Sequence, residues 1–168
     1  MIQAARKTRA LKIDMLVESE LWKKTDDVRP TVRRAVTEAA AMLSTSGSEL
    51  AIVLTDDSTI RALNREWRGK DAPTNVLSFA AAEGGKGRGA APLLGDIVIA
   101  YETTAREARA GKLPFRHHLA HLAVHGFLHL VGHDHATDTE AEAMEALEIA
   151  VLARLDIPDP YAMRDAKP

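Results

Sequence analysis

Apolar and polar positions along this 168-residue chain change period several times, and each change marks an element. Residues 11–18 (LKIDMLVE) alternate, which predicts a strand. Pro30 then opens a helix, where its missing N–H costs nothing. Val32, Ala35, Val36, Ala39 and Leu43 follow at helical spacing, and Gly47 ends the run. Residues 49–54 (ELAIVL) predict a second strand. Asp57 or Ser58 is placed to cap a short helix with Ile60, Leu63 and Trp67 on its inner face. RGKDAPTN (68–75) has turn composition, and VLSFA (76–80) reads as strand. The Gly-rich stretch within residues 80–93 reads as a loop. Gly95 and Asp96 lead into IVIA, a short buried strand. Residues 100–110 form a helix ended by Gly111. Pro114 opens another that runs to about Val131, with Gly132 as its cap. In residues 137–155, Ala141, Met144, Leu147, Val151 and Leu155 fall on one apolar face.

The order is strand, helix, strand, helix, two strands, three helices. It predicts an α+β fold in a single domain spanning residues 1–168: a mixed sheet of about four strands packed with helices. Strand order and direction are not readable from the pattern.

Composition narrows the class. Apolar residues make up 46% and charged residues 27%, the proportions of a soluble globular domain. No apolar run reaches the ~18–20 residues of a membrane span, so no membrane partner is expected. The basic N-terminal arm has no apolar signal core, and a cytoplasmic location is expected. The chain contains no cysteine, which excludes thiol catalysis, disulfides and thiolate metal sites. A formal charge of −2 gives no global attraction to nucleic acid, so any such binding requires a local basic patch.

All seven histidines lie between His117 and His135. His118, His121, His125 and His129 fall within about 80° of arc on the helix that starts at Pro114, so they form one stripe. His125 and His129, four apart, project from one face about 6 Å apart along the axis and can converge on one ion. The helix stop at Gly132 lets the chain fold back, and His135 then supplies a third imidazole. Three histidines leave a fourth position open, as catalytic zinc sites do. His121 and His125 share the same spacing, but His121 is a full turn further from the return loop; it lines the site or hydrogen-bonds in the core. His117 and His118 read as solvent-facing or structural. Asp134 has two available roles, bracing the turn or orienting a ligand imidazole through a hydrogen bond to its ring. HExxH zinc peptidases carry a glutamate general base directly after the first histidine. Here that position is Gly126, so a peptidase mechanism of that type lacks its base.

The segment HGFLHLVGHDH resembles the signature HGxLHLxGHDH of the YbeY family of rRNA-maturation endoribonucleases. WRGKDAPTNVLSF (67–79), LNREW just before it and LGDIVIA (94–100) resemble further family motifs in the right order, across roughly residues 50–155. The Gly-rich stretch 83–91 is longer than the family core needs, and the N-terminal arm is unmatched. The resemblance implies an α+β fold with a zincin-like metal helix. It places His125, His129 and His135 on the family's ligands for one Zn²⁺ per chain, and Arg68 on its functional arginine. The implied activity is metal-dependent, single-strand-specific cleavage of RNA in 16S rRNA 3′-end maturation and ribosome quality control. The implied partners are the 16S rRNA precursor, the small ribosomal subunit and an assembly GTPase.

The residues are compatible with that chemistry. Zinc activates water and polarises a phosphoryl oxygen, and Arg68 can pair bidentately with a phosphate. Asp134, Glu140, Asp96 and the RNA 2′-OH all stand as candidates for the general base. Arg61, Arg65 and Arg68 share a helix face leading into the RGKD turn with Lys70, so Arg61, Arg65 and Lys70 are candidate RNA contacts. The alternative for that stripe is a plain solvated face. Thr74 and Asn75 are expected to cap or brace the turn. Two other functions stay open: a ribosome-assembly factor with a mainly structural zinc, and a zinc hydrolase of peptides or small molecules.

Overall fold

The computed structural model describes residues 10–45, 47–82 and 91–165. The N-terminal arm (1–9) and most of the Gly-rich stretch (83–90) lie outside them. Four strands, β1 (Lys12–Val17), β2 (Glu49–Thr55), β3 (Val76–Ala80) and β4 (Leu93–Ala100), form one mixed sheet in the order β1-β2-β4-β3. β2 runs parallel to both β1 and β4, while β3 pairs antiparallel with β4 at the edge. Six α-helices accompany them among the described residues: α1 (Val28–Met42), α2 (Asp57–Arg68), α3 (Tyr101–Ala110), α4 (Phe115–Leu130), α5 (Asp138–Ala153) and α6 (Ala162–Asp165). The sequence pattern anticipates the α+β class and the strand count. It misses α6 and the 3₁₀ turn Glu20–Lys24, both too short for periodicity to register. None of these helices is long and apolar enough to cross a membrane.

Period-two alternation divides the sheet between two cores. Ile52, Leu54, Ile97 and Ile99 join Val32 and Val36 of α1, Leu119 and Phe127 of α4 and Leu152 of α5 in the larger one. Val98 and Ala100 belong to a smaller cluster with Ile60 of α2 and Leu77 of β3. Each fully buried aliphatic or aromatic side chain here contributes about 1.5–3 kcal/mol. The central strands are therefore fixed from both faces, and α4 lies against β3 and β4 as a rigid platform.

Helix ends follow local chemistry, with corrections to the expected boundaries. The cap of α2 is Asp56, whose Oδ1 accepts from Thr59 N at 2.9 Å, rather than Asp57 or Ser58. Asp57 serves the start of α3 instead: Thr103 N and Oγ1 donate to its Oδ1, and Asp57 N donates to Glu102 Oε2. Trp67 is not on the inner face of α2. Ile60 and Asn64 are buried, whereas Trp67, in the last turn, is 66% exposed. At the end of α4, Gly132 N donates to His129 O and His133 N to Leu128 O, with Gly132 at φ +99°. This pair of bonds is the Schellman closure that turns the chain back.

Gly126 sets how closely α4 approaches the sheet. A Cβ there would lie 2.8 Å from Ile97 Cγ2 and 3.1 Å from Ser78 Oγ. The Ser78 hydroxyl uses that proximity to donate to Gly126 O at 3.0 Å. Gly126→Ala is expected to destabilise the protein by about 1–3 kcal/mol, the usual cost of overpacking. Urea unfolding would measure it, and unchanged stability would refute the close-contact account.

Candidate metal centre

Three imidazoles converge where α4 ends. His125 and His129 project from its last two turns, and the Gly132 turn returns His135 to meet them. One ring nitrogen from each lies within 4.8 Å of the other two. Nε2 of His125 and Nε2 of His129 are 3.1 Å apart. Two nitrogens on a tetrahedral zinc with bonds of ~2.0–2.1 Å would stand ~3.3 Å apart. The donor set therefore fits a tetrahedral ion: three imidazole nitrogens, no thiolate, and a side open to the cleft. Burial pushes the His129 pKa down, and the neighbouring His125 and His135 rings push the same way. That shift favours the unprotonated ring a metal requires.

The carboxylate behind this centre was not legible as such in the sequence. Glu148 of α5 is 1% exposed, and its Oε1 accepts from Nδ1 of His125 at 2.5 Å. With Nδ1 holding the proton, the lone pair of His125 sits on Nε2, toward the other two histidines. Glu148 Oε2 meets His121 Nε2 at 2.8 Å and also accepts from the Tyr161 hydroxyl. Burial would raise the Glu148 carboxyl, but the hydrogen bonds from His121 and His125 outweigh it and hold the pKa at about 2. Tyr161 is pushed up by burial and by this same anion. His121 is thus a hydrogen-bonding partner of the centre's carboxylate. The sequence did carry one signal. Met144, Glu148, Val151 and Leu152 are the buried residues of α5, so an acidic residue occupies a core position of its stripe.

Asp134 is exposed, and its Oδ1 accepts from His135 N at 2.8 Å. It braces the return turn, and the carboxylate on a ligand ring is Glu148. Of the carboxylates weighed as bases, Asp134 lines the cleft. Glu140 closes the capping box of α5 with Thr137, and Asp96 lies on β4 outside the cleft lining.

The centre opens into a cleft of about 750 Å³. One wall is α4 and the return loop; the other is the end of α2, with Trp67 and Arg68, and β3 from Val76 to Ala80. Arg68 thus shares the cleft with all three histidines. Gly69, at φ +68°, ends α2, and buried Asn64 donates to Ala72 O at 2.8 Å, pinning the RGKD turn. Asn75 has the bracing role: its Nδ2 donates to both Glu107 oxygens and its Oδ1 accepts from Val76 N. The basic stripe divides. Arg61 is paired with Asp71 through Nε and Nη2, a clamp across the turn, and does not line the cleft. Arg65 and Lys70 are exposed outside the cleft lining. His118 lies 3.6 Å from Glu107, while His117 borders a separate cavity beside Arg116.

Comparison with known proteins agrees across most of the chain. The family profile described as Endoribonuclease YbeY matches residues 16–156. The Endoribonuclease YbeY of Rhodopseudomonas palustris (strain BisB18) is 53% identical over 156 residues, covering 90% of this chain and 93% of that one. That of Bradyrhizobium diazoefficiens is 54% identical over 156 residues, covering 90% and 85%. In fold, the chain is similar to the solution structure of TM1509 from Thermotoga maritima, with a TM-score of 0.53 and 23% identity, covering 86% of this chain and 91% of that one.

The Glu148 arrangement gives two expectations. Glu148→Ala leaves three half-buried polar partners unmatched and should cost about 1–3 kcal/mol of stability. Glu148→Gln should weaken zinc affinity by about 10–100-fold in a chelator competition. The folded pKa of Glu148 is depressed, so its stabilisation is fully present above the unfolded value of 4.5 and is lost as pH falls toward about 2. The stability gap between wild type and Glu148→Gln should therefore persist at pH 7 and narrow below 4.5. Equal stability and zinc affinity for wild type and both variants would rule this role out.

Proposed function

The chain belongs to the Endoribonuclease YbeY family and is a hydrolase of RNA phosphodiester bonds; from this we propose a zinc-dependent enzyme that cuts single-stranded RNA in the cleft beside His125, His129 and His135. We further propose that its substrate is the 3′ end of the 16S rRNA precursor on the small ribosomal subunit, in the cytoplasm. There it would serve 16S maturation and ribosome quality control alongside an assembly GTPase. The observation that carries the reading is the shared cleft: three convergent imidazoles face the guanidinium-bearing end of α2.

In this reading His125, His129 and His135 hold the zinc, which when bound supplies Lewis acidity toward water and a phosphoryl oxygen. Each residue then has a defined task. Glu148 keeps the proton of His125 on Nδ1 and fixes the ring. Asp134 holds the return loop so that His135 reaches the other two. Arg68 forms a bidentate contact with the scissile phosphate and stabilises the charge that builds on it. Gly126 leaves the position beside His125 without a side chain, so no carboxylate stands where HExxH peptidases keep their base. Asp134, the carboxylate base candidate that lines the cleft, takes the proton from the attacking water or, where the RNA 2′-OH is the nucleophile, from that hydroxyl. Imidazole donors also accept nickel, copper and iron; zinc is proposed for the open three-histidine set.

The test uses end-labelled single-stranded RNA with zinc-loaded wild type, His129→Ala and Arg68→Ala. Wild type should cut the single strand and spare the matching duplex. His129→Ala should lose both cleavage and zinc, the latter read by elemental analysis. Arg68→Ala should keep zinc and lose about 10²–10³ in kcat. Undiminished zinc in His129→Ala would sink the ligand assignment. Cleavage unchanged in both variants would refute the mechanism. In cells depleted of the protein, 16S precursors with unprocessed 3′ ends should accumulate, and His129→Ala should fail to rescue them.

A further inference from the structure

Trp67 is a large apolar side chain that the fold leaves in water. Helical spacing from Ile60 and Leu63 would direct it inward, yet it is 66% exposed. α2 ends one residue later, and the ring lies outside the smaller core, against which Leu63 and Phe79 are packed. The ring has one aromatic neighbour, Phe79 of β3, with centroids 6.1 Å apart and planes at 64°. This edge-on contact holds the indole without covering it. Both rings line the cleft that contains Arg68 and the three histidines.

We infer that Trp67, braced by Phe79, is a stacking platform for an unpaired nucleobase of the RNA, adjacent to the nucleotide whose phosphate meets Arg68. The inference rests on the endoribonuclease reading above and goes beyond it by assigning a base subsite. Its physical basis is that every base offers a flat π-face. Stacking on an exposed aromatic contributes about 1–3 kcal/mol without requiring a particular sequence. A base inside a duplex is already stacked and cannot use the platform, so the same residue favours single strands over duplexes. An exposed tryptophan also suits a protein interface. The nucleobase is favoured here because the ring forms part of the same cleft wall as Arg68. A strand whose phosphate reaches Arg68 must pass beside it.

The chain contains a second tryptophan that makes the test clean. Trp22 is 3% exposed and its Nε1 donates to Thr55 O at 2.8 Å, so only Trp67 fluorescence is open to quenching by a ligand. Saturating single-stranded RNA should quench the zinc-loaded protein, and the quench should be absent in Trp67→Ala. Trp67→Ala should raise KM by about 5–150-fold, the stacking energy expressed as a ratio. Its kcat should stay within a few-fold of wild type, and Trp67→Phe should recover most of the loss. An abasic residue at the stacked position should cost wild type a similar factor and Trp67→Ala nothing further. A Trp67→Ala protein with wild-type melting temperature, KM and abasic profile would overturn the subsite, and the exposed ring would then belong to a protein contact. If wild type quenches with RNA but never cleaves it, the platform stands and the catalytic reading fails.

Discussion

The centre depends on one buried anion. Glu148 lies under α4 with almost no access to water, and an isolated carboxylate there would cost several kcal/mol. Three groups offset that cost: His125 on one oxygen, His121 and the Tyr161 hydroxyl on the other. They come from two turns of α4 and from the segment beyond α5. A single charge thereby joins α4, α5 and the C-terminal segment and sets the tautomer of a ring that faces the cleft. Arg164 pairs with Glu145 and lies over the Tyr161 ring, which holds that segment in place from outside. Tyr161 lies beyond the residues matched by the family profile, so the outermost part of this network is not captured by the family match.

Much of the arrangement could be read from sequence, because the relevant physics is local. The triad follows from a four-residue helical spacing and a glycine stop. The continuous apolar runs of β2 and β4 are those of strands buried on both faces. What escaped the sequence depends on partners distant along the chain. Glu148 is one acidic residue in an acidic helix until α4 is laid against α5. Arg61 resembles an RNA contact until the RGKD turn brings Asp71 to it. Trp67 looks like core because periodicity reports an angle around the helix and says nothing of where the sheet beneath it ends. Sheet order also lay beyond reach: β3 and β4 adjoin in sequence, but the placement of β4 between β2 and β3 is set by packing.

The cleft assembles from unlike materials. Its α4 wall is rigid, held by the larger core and by the Schellman turn at Gly132. Its opposite wall is the end of α2 and an edge strand, kept in place by side-chain to main-chain bonds from Asn64 and Asn75. Arg68 therefore stands on a wall held by hydrogen bonds and the smaller core, and faces one held by the larger core. The bracing residues set the distance between the guanidinium and the imidazoles.

Gly126 carries an implication for how such enzymes diversify. The position after the first histidine is where a metallopeptidase helix carries its acid, and a single codon change would suffice to place one there. In this fold the first step is costly, since even a methyl group would press on Ile97 and on the hydroxyl of Ser78. A descendant with that acid would need a smaller residue at 97 and a resettled β3 beforehand, each unfavourable on its own. The glycine thus couples two properties of one position: the spacing of a helix against a sheet also keeps an acid away from the first metal-facing histidine.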